Sequence, residues 1–229
     1  MLEGLTVLRE ALSRTVRLVT TARLRESVLL DLVDQSDLAA LAELEGATSN
    51  RLLAQSRGTG GIQPFELVYG VPHASFINAS FAYAKPREPN RFNGGDRGAW
   101  YAALDTDTAL AEVGYHLTAF LAATGRFEAV VDYAELHASF AGEFVDLRKH
   151  PDHPALHSDK AVGYPAGNAL ADEARARGLN GIIYPSVRHS GGTCLAALFP
   201  HTVQSVAQGD VYRMTWSGDP TPMVEKVTG

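Results

Sequence analysis

The stretch RFNGGDRGAWYAALDTDTALAEVGYH, from Arg91 to His116, places three kinds of local structure next to one another. A glycine-rich turn with two arginines comes first, the short apolar run AWYAAL at 99–104 follows, and a segment with helical periodicity comes last. Asp105 or Thr106 suits the N-cap of that helix, and Gly125 suits its C-terminal end. The sequence therefore predicts a strand that leads directly into a capped amphipathic helix.

Short apolar runs surround this unit on both sides and indicate a sheet. Runs rich in aromatic and β-branched residues, or alternating with small ones, predict strands at 65–69, 74–83, 127–133, 143–147, 181–186, 193–199 and 211–216. A second helix is expected at 166–178, and the polar, proline-punctuated segment 148–165 is expected to be irregular. Strands outnumber helices without regular alternation, so we expect an α+β fold.

The N-terminal part has a different texture. Residues 2–55 contain no proline, and Leu and Val recur there at helical spacings, which predicts two or three helices. The segment SRGTGGIQP at 56–64 is typical of a loop. The sequence thus predicts an N-terminal helical extension over 1–60 and a catalytic domain over 61–229.

Composition limits the class of protein. The chain has 229 residues, of which 45% are hydrophobic and 20% charged, as in a soluble globular domain. The formal net charge of -6 argues against non-specific binding to nucleic acid. Cys194 is the sole cysteine, which excludes an intrachain disulfide, and its apolar flank predicts a core residue. No export signal or membrane span is indicated, so we expect a cytoplasmic protein.

Several residues in the opening stretch are candidates for chemistry. Glu112 lies away from the apolar stripe of its helix, so packing does not require it. Arg91 and Arg97 flank glycines that allow backbone N–H groups to approach an anion, although turn formation explains these glycines equally well. Tyr101 alternates with Trp100, so one ring must face each side of the strand.

Ser186 follows a predicted strand end and precedes His189. A hydrolytic Ser–His pair is disfavoured because the G-x-S-x-G elbow is missing and no acid is placed to orient His189. Strand termination and a capped turn are the alternative explanation for this serine.

Taken together, these segments resemble one known family. The YxxA run before the helix that carries Glu112, the RFNxxG turn with Arg91 and the later GIIYPSVRHSGG with Ser186 are similar to the RES-domain family, the toxins of Res–Xre toxin–antitoxin pairs. The resemblance covers about residues 65–200. It implies a twisted β core with flanking helices like that of ADP-ribosyltransferases, with NAD as substrate and with Arg91, Tyr101, Glu112 and Ser186 lining the pocket.

Two positions depart from the family pattern. Phe92 stands where the family usually has tryptophan, and Gly70 stands where the family often has an arginine at the end of its first strand. A phosphate contact would then come from elsewhere, and Arg97 and Arg188 are the candidates.

The resemblance also implies a chemistry and a partner. Arg91 would hold the pyrophosphate, Tyr101 would flank nicotinamide, Glu112 would favour the cationic ribose of the transition state, and Ser186 would bind a ribose hydroxyl or the amide. The acceptor of ADP-ribose stays open among water, phosphate and a protein side chain. An Xre-like helix-turn-helix antitoxin is expected to cover the NAD cleft.

Three other readings are weaker. The GTGG run at 58–61 follows a helical pattern and lacks the full dinucleotide-binding motif. The histidines and aspartates within 150–159 match no closed zinc spacing, so a polar loop is favoured over a metal site. A non-enzymatic protein that binds partners through its N-terminal helices is the alternative to an enzyme.

Overall fold

The computed structural model describes residues 2–22, 24, 61–82 and 89–227. Within these ranges the chain forms seven strands, three α-helices and three short 3-10 helices. In chain order they are β1 (Thr6–Thr20), 3-10 helix Pro64–Glu66, α1 (Ala74–Ala82), β2 (Trp100–Ala103), α2 (Thr106–Thr124), β3 (Glu128–Asp146), 3-10 helix Pro154–Leu156, α3 (Lys160–Ala176), β4 (Gly181–Pro185), β5 (Thr193–Ala197), 3-10 helix Pro200–Thr202, β6 (Gln204–Ser217) and β7 (Met223–Val227). The predicted α+β class is confirmed.

The strands form one mixed sheet in the order β1-β2-β5-β4-β3-β6-β7. Strand β1 also pairs with β3, so β1, β2, β5, β4 and β3 close into a ring, and β6 and β7 extend from β3. β3 and β4 are parallel, and the other pairs are antiparallel. No helix in the described part of the chain is long and apolar enough to span a bilayer.

The helical prediction for the N-terminal part is wrong for residues 6–20, whereas the described residues 21, 22 and 24 are helical. Residues 6–20 form β1, which pairs with β3 from Thr6 opposite Asp146 to Thr20 opposite Tyr133. Helix-like spacing of Leu and Val was outweighed by hydrogen bonding to a long strand far away in the sequence, because strand propensity depends on such packing. Residues 25–60 of the predicted extension lie outside the described residues.

The unit that follows β2 forms as predicted. The Asp105 carboxylate accepts the Thr108 N–H over 2.7 Å and caps α2, and Gly125 ends the helix in the left-handed conformation at φ +69°. Trp100 and Tyr101 point to opposite faces, and each joins a different hydrophobic cluster of the core. The helix α2 and the Tyr101 side of β2 therefore share one face of the sheet.

Other strand boundaries differ from the prediction. Residues 65–69 are not a strand, and 74–82 form α1, whose backbone lies so close to Gly98 that a Cβ there would meet the Ser80 carbonyl oxygen at 2.0 Å. The predicted strands at 127–133 and 143–147 are parts of the single strand β3. The strands at 181–185 and 193–197 are confirmed, as is 211–216 within β6.

The helix predicted at 166–178 begins earlier, at Lys160, with Asp159 as its N-cap and Pro165 inside it. Residues 160–165 are therefore helical rather than irregular. The backbone of α3 packs directly on the turn of residue 91, since a Cβ at Gly167 would meet the Arg91 carbonyl oxygen at 2.0 Å. This contact brings the N-terminal turns of α3 next to the glycine-rich turn.

Candidate active site

Glu112 and Ser186 meet where α2 passes the end of β4. The Ser186 hydroxyl donates a hydrogen bond to Glu112 Oε1 over 2.6 Å. The Ser186 hydroxyl oxygen in turn accepts the backbone N–H groups of Arg188 at 3.1 Å and His189 at 2.9 Å. The serine thus ends β4, shapes the following turn and orients the glutamate at once.

Cys194 Sγ also lies near the Glu112 carboxylate, 3.8 Å from Oε1. The second carboxylate oxygen, Oε2, makes no hydrogen bond to the described residues. Burial raises the pKa of the Cys194 thiol, and the negative charge of Glu112 adds to that effect. The prediction that Cys194 is a core residue is confirmed, since it is buried and free. Glu112 therefore keeps one carboxylate oxygen for a ligand.

Tyr101 holds the glycine-rich turn in place. Its hydroxyl donates to Asn93 Oδ1 and accepts the Phe92 N–H, both over 2.9 Å. Burial raises the pKa of Tyr101 far above its usual value, so the hydroxyl stays protonated and remains a donor. The Tyr101 side chain thus connects β2 to the backbone beside Arg91.

Arg91 is buried and connects that turn to the segment before α3. Its Nη1 donates to the carbonyl oxygens of Ala155 at 2.6 Å and His157 at 3.0 Å. Its guanidinium carbon lies 5.5 Å from the centre of the Tyr164 ring. Nε and Nη2 make no hydrogen bond to the described residues, which leaves two nitrogens of this arginine, with three N–H groups, for a ligand.

Cations and tyrosine rings alternate around this region. The Arg188 guanidinium stacks on Tyr115 at 3.5 Å, and Lys160 Nζ lies 6.0 Å from the ring centres of both Tyr115 and Tyr164. We call Arg91, Lys160, Arg188, Tyr115 and Tyr164 the cation–tyrosine cluster. It links α2, α3, the glycine-rich turn and the turn after β4.

Electrostatic effects show that the cluster and Glu112 act on the same groups. Desolvation of the His116 ring, and then Lys160, Arg188 and Arg91, lower the pKa of His116 against the opposing effect of Glu112, although the residue is exposed at the surface. Burial raises the pKa of Tyr164, and Arg91 and Arg188 oppose that rise. The site is thus locally cationic in an acidic protein, as an anionic ligand requires.

Arg97 is not brought to this cluster. Its guanidinium donates to the Gly61 carbonyl at 3.0 Å, the Glu66 carboxylate at 2.9 Å and the Leu198 carbonyl at 3.4 Å. These contacts hold the segment around 61–66 to the sheet. We therefore leave Arg97 out of the proposed site.

Sequence reasoning missed Lys160, Tyr164 and Tyr115 as site residues. Lys160 and Tyr164 lie one helical turn apart on α3, in a segment that had been predicted to be irregular. Tyr115 lies on the side of α2 that also carries Glu112, and this was the one signal that could have identified it. In the part of the chain that the structure describes, no three His, Cys, Asp or Glu side chains are grouped to hold a metal ion.

Comparisons with known proteins give the following matches. A family model described as RES domain matches residues 67–217 of this chain. Among solved structures, a chain of the crystal structure of the M. tuberculosis MbcT-MbcA toxin-antitoxin complex aligns at 16% sequence identity and a TM-score of 0.39, covering 57% of this chain and 77% of that one. No curated protein matches. Glu112, Ser186 and the whole cation–tyrosine cluster lie inside the matched range.

Proposed function

Because this chain belongs to the RES domain family, we propose that it is the toxin of a toxin–antitoxin pair and that it cleaves NAD at the nicotinamide–ribose bond. The observation that carries the proposal is the 2.6 Å contact between Ser186 and Glu112 beside the cation–tyrosine cluster. A free carboxylate oxygen and several cations lie side by side there, as the ribose and pyrophosphate of one dinucleotide require.

The ribose end of the substrate is assigned to Glu112. Cleavage of the nicotinamide–ribose bond spreads positive charge over C1′ and the ring oxygen, as in glycoside hydrolysis. Glu112 Oε2 is available to stabilise that charge or to hold the 2′-hydroxyl. Nicotinamide leaves as a neutral heteroaromatic with the electron pair of the broken bond, so its departure needs no proton donor.

The pyrophosphate end is assigned to Arg188, Lys160 and the free N–H groups of Arg91. Arg188 lies on a tyrosine ring, and such stacking fixes the plane of its donors. Lys160 adds a positive charge at the first turn of α3. These residues supply the phosphate contact that Gly70 does not provide, and Tyr115 and Tyr164 offer flat surfaces for a base.

Tyr101 has a different role in this proposal from the one that the resemblance implies. Both hydrogen-bonding capacities of its hydroxyl are used by Phe92 and Asn93. We assign it as a positioning residue that fixes the turn of Arg91. The residue as a whole is half-buried, and we assign its remaining exposed part to the border of the nicotinamide site.

The acceptor of ADP-ribose and the partner form the finer part of the proposal. Water would give ADP-ribose, phosphate would give ADP-ribose 1″-phosphate, and a protein side chain would give a modified protein. An Xre-like helix-turn-helix antitoxin would neutralise the enzyme by covering the NAD cleft.

The test is to incubate the purified protein with NAD, with and without phosphate and cell extract, and to identify the products by mass spectrometry. We expect release of nicotinamide by the wild type and its loss in Glu112→Gln, while Glu128→Gln, an exposed glutamate on β3, keeps it. Expression of the wild type should arrest growth, and expression of Glu112→Gln should not. A wild type that leaves NAD intact under all these conditions overturns the proposal.

The alternative, a non-enzymatic protein that binds partners through N-terminal helices, has lost part of its basis. Residues 6–20, which were to supply one of those helices, are a strand of the sheet. The same Glu112→Gln variant separates the two functions, since a scaffold would not be affected by it.

A further inference from the structure

The turn that follows β4 holds His189 by three contacts. Its backbone N–H donates to Ser186 Oγ at 2.9 Å, and its carbonyl accepts the Gly192 N–H at 3.0 Å. Its ring nitrogen Nδ1 lies 2.8 Å from Thr108 Oγ1. A Cβ at Gly192 would meet that same Thr108 oxygen at 2.4 Å, so the glycine allows the turn to close on α2.

The network around Thr108 determines which nitrogen of His189 carries a proton. Thr108 is fully buried, and its hydroxyl lies 2.8 Å from Asp105 Oδ2. A carboxylate only accepts hydrogen bonds, so the single hydroxyl proton of Thr108 goes to Asp105. His189 Nδ1 must therefore be the donor to Thr108. In the neutral ring Nε2 then carries a lone pair, and it makes no hydrogen bond to the described residues.

The helix places Thr108, the residue that holds the His189 ring, close to Glu112. Thr108 and Glu112 are one turn apart on the same face of α2, about 6 Å along its axis. Ser186 joins the two ends, because its oxygen contacts both the His189 backbone and the Glu112 carboxylate. His189 is therefore held on α2 one helical turn from Glu112, and in the chain it follows Arg188 of the cation–tyrosine cluster.

The hydrolytic Ser–His pair is excluded by the same contacts. The Ser186 proton goes to Glu112, and His189 approaches Ser186 through its backbone rather than its ring. The acid that the sequence failed to show is Asp105, which acts on His189 through Thr108. His189 is thus oriented as a base, but for a group other than Ser186.

Resting on the proposed function, we propose that His189 is a further catalytic residue, the general base that takes the proton from the hydroxyl of the acceptor. The acceptor oxygen bonds to C1′ as the bond from C1′ to the nicotinamide nitrogen breaks. The electron pair of that bond leaves with nicotinamide, and the acceptor proton moves to Nε2 and later to solvent. The Nδ1–H group of His189 keeps its hydrogen bond to Thr108 Oγ1 throughout the reaction. Asp105 and Thr108 are positioning residues.

The variant that isolates this role is His189→Asn, because an asparagine amide can replace the Nδ1–H donor but supplies no base. Two reactions of the purified protein are compared in phosphate-free buffer: cleavage of NAD with water as acceptor, and exchange of nicotinamide for 3-acetylpyridine. The exchange nucleophile attacks through a ring nitrogen that carries no proton, so it needs no base.

We expect His189→Asn to lower the rate of the first reaction by about 10²–10⁴-fold, the usual range for a general base, and to leave the exchange rate close to that of the wild type. Thr108→Val should show the same selective loss. His201→Ala, an exposed histidine after β5, serves as the matched control. Equal loss of both reactions, or no loss in either, overturns the role of His189. A wild type that supports neither reaction overturns the proposed function itself.

Discussion

Ser186 Oγ lies 2.6 Å from Glu112 Oε1 although 74 residues separate them in the sequence. The serine hydroxyl donates its only proton to this hydrogen bond, and its oxygen accepts hydrogen bonds from two backbone N–H groups. A residue with every hydrogen-bonding capacity in use acts by orienting its neighbour rather than by reacting.

Ser186→Ala should therefore lower kcat for NAD cleavage by about tenfold, because Glu112 loses the hydrogen bond that orients it. Tenfold corresponds to about 1.4 kcal/mol of lost transition-state stabilisation, close to the contribution of one hydrogen bond. KM should change little. In a double-mutant cycle with Glu112→Gln, the two effects should not add, since both variants disturb one contact. The measurement is the steady-state rate of nicotinamide release by the wild type, the two single variants and the double variant. Strictly additive effects on the activation free energy would contradict this prediction.

Tyr101→Phe should destabilise the protein. It leaves the Asn93 amide oxygen, which is buried, and the Phe92 N–H without their partner. Each such group costs about 1–3 kcal/mol of unfolding free energy. Thermal unfolding measures the loss, and KM for NAD should rise because Arg91 is no longer held. An unchanged melting temperature would show that the turn does not depend on this hydroxyl.

Arg188→Ala and Arg97→Ala should give opposite results. Arg188→Ala removes a cation from the proposed pyrophosphate site, so KM for NAD should rise while the melting temperature stays the same. Arg97→Ala leaves the Glu66 carboxylate unpaired in a mostly buried position and should cost about 3–5 kcal/mol of stability without a change in KM. Matched kinetics and unfolding curves test the pair, and a rise in KM for Arg97→Ala would return that residue to the site.

Asp146 predicts a dependence of stability on pH. Burial tends to raise the pKa of this carboxyl, but hydrogen bonds from the side chain and backbone of Arg148 outweigh burial and lower the pKa below its usual 3.8. The folded state thus binds fewer protons than the unfolded state, so the stabilisation is complete above about pH 4 and is lost as the pH falls through the lowered value.

The measurement for Asp146 is the melting temperature as a function of pH in the wild type and in Asp146→Asn. The variant should be less stable at pH 7, by about 1.5–3 kcal/mol for hydrogen bonds to a charged group. The wild type should also lose stability more steeply than the variant below pH 4. Parallel curves would mean that Arg148 does not hold this carboxylate.

Local signals predicted the elements that depend on local interactions. The N-cap at Asp105 and the left-handed Gly125 define α2 within the helix itself. The strand state of β1 depends on β3, to which it pairs over most of its length, and no local pattern contains that information. Similarly, the segment 74–82 was predicted as a strand but forms the helix α1, whose backbone packs closely on the distant Gly98.

For the site, sequence motifs located Glu112 and Ser186 but not their surroundings. Lys160 and Tyr164 were missed because the segment 148–165 is polar and contains several prolines, whereas α3 begins at Lys160 and accommodates Pro165 in its second turn. The acid behind His189 was missed because Asp105 had already been explained as a cap. It serves both Thr108 N–H and Thr108 Oγ1, one with each carboxylate oxygen.

The closed ring of strands that β1 completes also determines when the protein can fold during its synthesis. β1 leaves the ribosome before its partner β3, which ends at Asp146, and the turn with Ser186 and His189 emerges later still. Pairing between such distant segments is slow to form. On the proposed function, a nascent chain could not consume the NAD of its own cell until β3, β4 and the turn after β4 had all been made.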